Sequence, residues 1–183
     1  MLCRTVLIAA AWLIGCLASA SAQEVSGITI VEHGIYTADI TSTERKPGGI
    51  GHNTLTNICH VVTTSVIPAK MGLMFGFRYR VEGTPQGLVT NLTRVTRFPV
   101  PLRPPDAVRP VQDSEYPINV RVGAVSYIGY GFDHAWELQT GLWSMELWHG
   151  ERKLAERSFT IVEGGGESVP QSSNTNCFQL SML

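Results

Sequence analysis

Between residues 26 and 163, bulky or β-branched side chains alternate with polar ones, and glycines and prolines interrupt the alternation at short intervals. A period of two places successive side chains on opposite faces of a strand, whereas an amphipathic helix needs a 3.6-residue apolar stripe with caps, and no stretch offers one. The pattern predicts an all-β domain with strands at 28–40, 55–67, 73–82, 88–98, 118–127, 142–149 and 154–163. About seven antiparallel strands joined by hairpin-like turns favour a sandwich over a barrel. In the third segment Phe75, Phe77, Tyr79 and Val81 share one face, and Gly76, Arg78, Arg80 and Glu82 share the other. Trp143, Met145 and Leu147 share a face in the sixth, and Phe159 and Ile161 share one in the seventh, across a turn at His149, Gly150 and Glu151. Greek-key connections would make the third and sixth strands neighbours, so Arg78 and Arg80 are expected opposite Ser144 and Glu146 as an exposed ion pairing.

Six of the ten prolines, Pro99, Pro101, Pro104, Pro105, Pro110 and Pro117, fall between the fourth and fifth predicted strands. Proline lacks the ladder N–H, so this stretch is expected to be an extended crossover from one sheet to the other, with Arg103 and Arg109 exposed. After residue 163 the chain turns glycine-rich, then Ser-, Asn- and Gln-rich, and ends on Phe178, Leu180, Met182 and Leu183. That composition predicts a flexible tail over 164–183.

Residues 1–4 hold one positive charge, 6–18 form an apolar run, and Ala20, Ser21 and Ala22 supply the small residues of a cleavage site. This layout reads as a signal-peptide helix over 1–22, removed before Gln23 to leave a β-sandwich domain over 23–163. The apolar run is shorter than the roughly 20 residues a membrane-spanning helix needs. Leu13, Ile14, Gly15 and Cys16 also fit a lipobox, in which Cys16 is lipidated and becomes the new N-terminus. The expected location is therefore periplasmic or secreted, or membrane-tethered through Cys16. Past the leader only Cys59 and Cys177 remain, and in an oxidising compartment they are candidates for a disulfide; a buried Cys59 thiol packing as a small hydrophobe is the alternative.

The composition over 183 residues, 44% hydrophobic and 16% charged, is that of a globular protein. A formal net charge of −1 gives no electrostatic reason to expect nucleic-acid or membrane-surface binding. Charge is uneven, however: residues 70–121 carry eight basic and four acidic side chains, and residues 122–167 three and seven. Interleaved strands would neutralise most of this, and a basic patch that survived would be a binding surface for an acidic partner.

Catalytic chemistry finds little to work with. There is no Gly-x-Ser-x-Gly turn, and Gly48, Gly49, Ile50 and Gly51 are followed by His52 and Asn53, not by the lysine and helix of a phosphate loop. The acids Asp133 and Glu137 stand without other catalytic signals, so no enzymatic activity and no cofactor are expected. A periplasmic copper or redox accessory role rests on His52, Cys59, His60, Met71 and Met74, whose soft donors suit copper but lack the spacing of a metal motif. The segment 127–136 is the most distinctive. Tyr130, Phe132 and Trp136, with His134 among them, form either a stacking platform for a sugar or peptide or an aromatic plug at a sandwich end.

The run Gly141, Leu142, Trp143, Ser144, Met145, Glu146, Leu147, Trp148, followed by Lys153 to Glu156 and by Ser158, Phe159, Thr160, Ile161 and Val162, resembles the closing hairpin of immunoglobulin-like domains in exported bacterial proteins. With His33, Gly34, Ile35 and Tyr36 it resembles a family of short exported proteins known only as a domain of unknown function. The resemblance implies an immunoglobulin-like sandwich and carries over no catalytic or binding residue. A non-catalytic module that binds another envelope protein or a peptide is the resulting expectation. An intact mass of envelope-purified protein is expected to begin at Gln23; a gain of two hydrogens on reduction would show the Cys59–Cys177 bond, and an acyl adduct on Cys16 the tethered form.

Overall fold

A computed structural model describes residues 24–44, 46–164 and 176–178. The signal-peptide and lipidation readings, Cys16 included, lie outside the described residues. Ten strands form among the described residues: β1 (Glu24–Glu44), β2 (His52–Val62), β3 (Val66–Ala69), β4 (Met74–Thr84), β5 (Val89–Leu102), β6 (Val111–Arg121), β7 (Val125–Gly131), β8 (Gly141–His149), β9 (Arg152–Glu163) and β10 (Asn176–Phe178). They make two five-stranded sheets, β10-β2-β1-β4-β7 and β3-β9-β8-β5-β6. All pairings are antiparallel except β3 with β9. Two predicted strands each divide, the second between β2 and β3 and the fifth between β6 and β7, where Gly123 takes a φ of 84° that suits a glycine. β1 is longer than predicted at both ends, and Asn176–Phe178 of the predicted tail pair with β2.

The alternating faces fall as the sequence requires. Phe75, Phe77, Tyr79 and Val81 of β4 are buried against Trp143, Met145 and Leu147 of β8 and Phe159 and Ile161 of β9. Trp143 anchors this core: its ring centroid lies 4.9 Å from that of Phe98, 5.0 Å from Tyr130, 5.8 Å from Phe132 and 5.9 Å from Phe75. Its indole N–H donates to the Gln139 carbonyl at 2.9 Å, so the one polar atom of the ring is satisfied.

The predicted pairing of Arg78 and Arg80 with Ser144 and Glu146 does not form, because β4 and β8 lie in different sheets. β4 is flanked by β1 and β7, and Arg78 meets Glu32 of β1 at 2.8 Å. Glu146 is taken by Arg97 of β5, at 2.9 and 3.2 Å, with Trp148 donating at 2.7 Å; its side chain is buried, where an exposed pair was expected. The proline-rich stretch also departs from expectation. It joins β5 to β6 within one sheet, with Arg103 and Arg109 exposed. Pro99 and Pro101 sit where the β5–β6 ladder is interrupted between Arg97 and Leu102, and Pro117 lies in β6, an edge strand whose outer side needs no donor.

Cys59 and Cys177 face each other across β2 and β10 and are joined by a disulfide that spans 118 residues of chain. Closing so long a loop stabilises by roughly 4–5 kcal/mol in the chain-entropy account. Urea unfolding is therefore expected to show a loss of stability of that order, with a lower midpoint and a steeper slope, on reduction or in Cys177→Ser, because the released unfolded chain exposes more surface; an unmoved midpoint would show that the bond contributes nothing.

Candidate functional site

β1 pairs with β4 only as far as Tyr36 opposite Met74, while its pairing with β2 continues to Glu44 opposite His52. Beyond residue 36 the hairpin is two strands wide and projects past the sheet. Its tip leans across the open side of the sandwich, between β7 at the end of one sheet and β6 at the end of the other. Ile50 fixes it by burying its side chain in the core. Gly48 holds a φ of 66° and passes so close to the Asp106 carbonyl that a Cβ there would lie 2.9 Å from it. Glu44 accepts from Tyr116 at 3.2 Å, the His52 ring lies 3.8 Å from that of Tyr116, and Asn53 donates to Asp133 at 2.8 Å.

Under the tip is a cleft of about 510 Å³. That is within the range of small-molecule sites, roughly 300–1,000 Å³. One wall is the outer face of β7, where Tyr127, Gly129 and Gly131 follow one another; Gly129 is needed because a Cβ would strike the Tyr127 hydroxyl. The far wall is the 3-10 turn Ala135–Glu137 with the corner before it.

The predicted platform divides. Phe132 is wholly buried and stays out of the cleft, which is the plug role. Tyr130 packs in the core and reaches the lining, His134 is exposed, and Trp136 is half-buried; the His134 and Trp136 rings stack at 5.4 Å and 17° along the wall. Glu137 fastens this corner. One of its carboxylate oxygens accepts from the Tyr130 hydroxyl at 2.8 Å, and the other from the Asp133 and His134 backbone N–H groups at 2.7 Å each. The Asp133 and Glu137 pair is thus a tie between the ends of a turn. Burial nevertheless raises the Glu137 pKa against the pull of those donors.

Sequence reasoning missed Arg94. It stands opposite Leu147 across β5 and β8, which places it on the inward face, and it lines the cleft. Its guanidinium donates to Nδ1 of His52 at 3.2 Å and lies 5.9 Å from the Tyr116 ring centroid. Burial draws its pKa below the ordinary arginine value. Burial, with Arg94 and Lys46 nearby, lowers His52 to about 4, so the imidazole is neutral at physiological pH. The available signal was a lone cation at an inward position among Thr90, Leu92, Thr96 and Phe98.

The copper set is dispersed. Cys59 is committed to the disulfide, His52 is held by Arg94 and Tyr116, and His60 packs edge-on against Tyr36, with its Nε2 3.3 Å from the His33 carbonyl. Among the described residues no group of three or more His, Cys, Asp or Glu side chains is placed to hold a metal.

A raised carboxyl pKa gives stability that is fully present below the unfolded value and lost as pH rises through the folded one. Glu137→Gln keeps an acceptor for the two backbone N–H groups and removes the charge. The wild type is therefore expected to lose stability relative to Glu137→Gln as pH rises from about 4.5 into the neutral range, read from melting temperatures; a parallel pH dependence of the two proteins would refute it.

A comparison with functionally curated proteins gives no match. Among solved structures, an immunoglobulin-like protein from Pseudomonas aeruginosa is similar, with 25% sequence identity and a TM-score of 0.54 over 77% of this chain and 99% of that one. The all-β, immunoglobulin-like sandwich expected from the sequence is thereby borne out. A family model described as a domain of unknown function, DUF3859, matches residues 24–161, nearly all of the sandwich. The chain belongs to the DUF3859 family, the kind of family that its closing hairpin resembles.

Proposed function

We propose that the protein is an exported, non-catalytic binding module of the bacterial envelope, and that it holds its ligand or partner peptide in the cleft beneath the β1–β2 hairpin. The observation that carries this reading is the cleft itself. It pairs a stacked aromatic wall, His134 with Trp136, with a half-buried cation, Arg94, and its shape is fixed by the Glu137 tie and by the seating of Ile50. Sites with an apolar wall and a few placed polar groups are suited to binding. Export is supported by the leader-like pattern over 1–22 and by the Cys59–Cys177 bond, since such bonds persist in oxidising compartments. No helix among the described residues is long and apolar enough to cross a membrane. Processing before Gln23 gives a free periplasmic or secreted protein, and processing at Cys16 a tethered one.

A photo-crosslinking residue at position 106, in the lining of the cleft, is expected to give a defined mass adduct in the native envelope. The same residue at position 151, in the β8–β9 turn, is expected to give none. Trp136→Ala should abolish the adduct while near-ultraviolet circular dichroism stays native. Equal adducts from both positions, or none from 106, would overturn the cleft as the binding site.

A further inference from the structure

Three arginines of the sandwich, Arg78 on β4 and Arg94 and Arg97 on β5, meet very different surroundings. Arg78 has Glu32 at 2.8 Å, and Arg97 has Glu146 and Asp113 at 2.9 and 3.2 Å. Arg94, half-buried on the inward face and open to the cleft, forms no ion pair with any carboxylate of the described residues. Its contacts are a neutral imidazole and a tyrosine ring. Tyr130 and Tyr127, also at the cleft, are held neutral by burial, which raises both phenols above their ordinary value. A guanidinium does not shed its proton, so it remains a cation there, and a partly desolvated cation lacking a counter-charge gains from an anion that reaches it.

We propose that Arg94 is the anchor for the carboxylate of a small organic acid bound in the cleft, a monoanion whose planar or apolar body lies against His134 and Trp136. This rests on the cleft being the binding site and adds the ligand's chemistry. A guanidinium offers five N–H donors in a planar fork, of which His52 takes one, so a two-pronged carboxylate contact remains open. Charge around the cleft limits the ligand to one negative group. Lys46 and Arg94 are opposed by Asp106, Asp133 and Glu137 in the same lining, a balance that disfavours a phosphate dianion. The surplus of cations in residues 70–121 thus keeps one member uncompensated where a ligand can reach it.

The test is a titration of the ¹⁵N-labelled mature protein, disulfide intact, with sodium benzoate, its uncharged isostere benzamide, and inorganic phosphate at one ionic strength. Benzoate is expected to shift the Arg94 side-chain Nε–H and the amides of Gly48, Gly49, Gly51 and Gly131 saturably, at least tenfold more tightly than benzamide or phosphate. Arg94→Gln should remove that preference while leaving benzamide binding intact; the wild-type comparison stands even where this variant is less stable. Equal affinity for benzoate and benzamide would overturn the carboxylate anchor and leave the cleft as a binding site. Tighter binding of phosphate would overturn the choice of a carboxylate, and no saturable shift with any probe would overturn the inference outright.

Discussion

The pairing of β1 with β4 stops at Tyr36, and the cleft exists because of that stop. A first strand of 21 residues is longer than β4 can match, so its second half has β2 as its only ladder partner near the tip and is free to bend out of the sheet. Backbone register shifts between Thr37 and Asp39 and between Ile40 and Ser42 re-aim the strand over this stretch, as bulges do. The bend carries Ile50 into the core and His52 onto Tyr116, which converts an open sandwich side into a roofed cleft. Without the overhang, Arg94 would sit at the wet margin between two sheets. With it, the same residue becomes a partly desolvated cation facing an enclosed space.

The molecule handles its buried ionisable groups in three ways, and the contrast locates function. Glu146 is neutralised by Arg97 and Lys153 and takes a hydrogen bond from Trp148; together these hold its pKa below the ordinary value although burial pushes the other way. Glu137 has donors but no cation, so its charge is dispersed over a hydroxyl and two backbone N–H groups and burial prevails. Both arrangements are complete within the fold. Arg94 shares the cleft lining with Glu137 but, unlike it, has only one hydrogen bond and no counter-charge among the described residues. Incomplete satisfaction at a concave site separates a binding group from a structural one.

Much of the sandwich was legible because one face of each core strand is buried and the other is not. Phe75, Phe77, Tyr79 and Val81 announce that alternation, and so do Trp143, Met145 and Leu147. Strand order was not legible, since a period of two says which face is inward and nothing about which strand lies beside which. Arg97, not Arg78, therefore meets Glu146. The prolines misled for a related reason. They forbid a ladder donor, but an edge strand and an interrupted ladder both have positions without one, and Pro117 and Pro99 occupy those. At the site, the aromatic segment was visible as a segment, yet its division into plug and wall depends on which side of β7 and of the following corner each ring leaves the chain. The roof over it was invisible: Gly48, Gly49, Ile50 and Gly51 read as a loop without phosphate-binding context, and nothing local says that they fold back 58 residues short of Asp106 to meet its carbonyl.

The two walls of the cleft are held by different means, and this determines which can yield to a ligand. The corner from Tyr130 to Glu137 is pinned by buried hydrogen bonds and by rings packed on Trp143, so moving it would expose unpaired donors and break core contacts. The hairpin tip is held by Ile50, by exposed hydrogen bonds from Tyr116 to Glu44 and from Asn53 to Asp133, and by the contact of His52 with Arg94. Exposed bonds exchange readily with water and each contributes little. The His52 contact depends on a neutral imidazole, because only an unprotonated Nδ1 can accept from a guanidinium, and its depressed pKa keeps that form in place at neutral pH. A ligand carboxylate arriving at Arg94 would meet donors on a guanidinium already oriented by His52, with the mobile share of the adjustment falling on the tip. The rigid aromatic corner then sets the shape that is recognised, and the looser hairpin sets how it is reached.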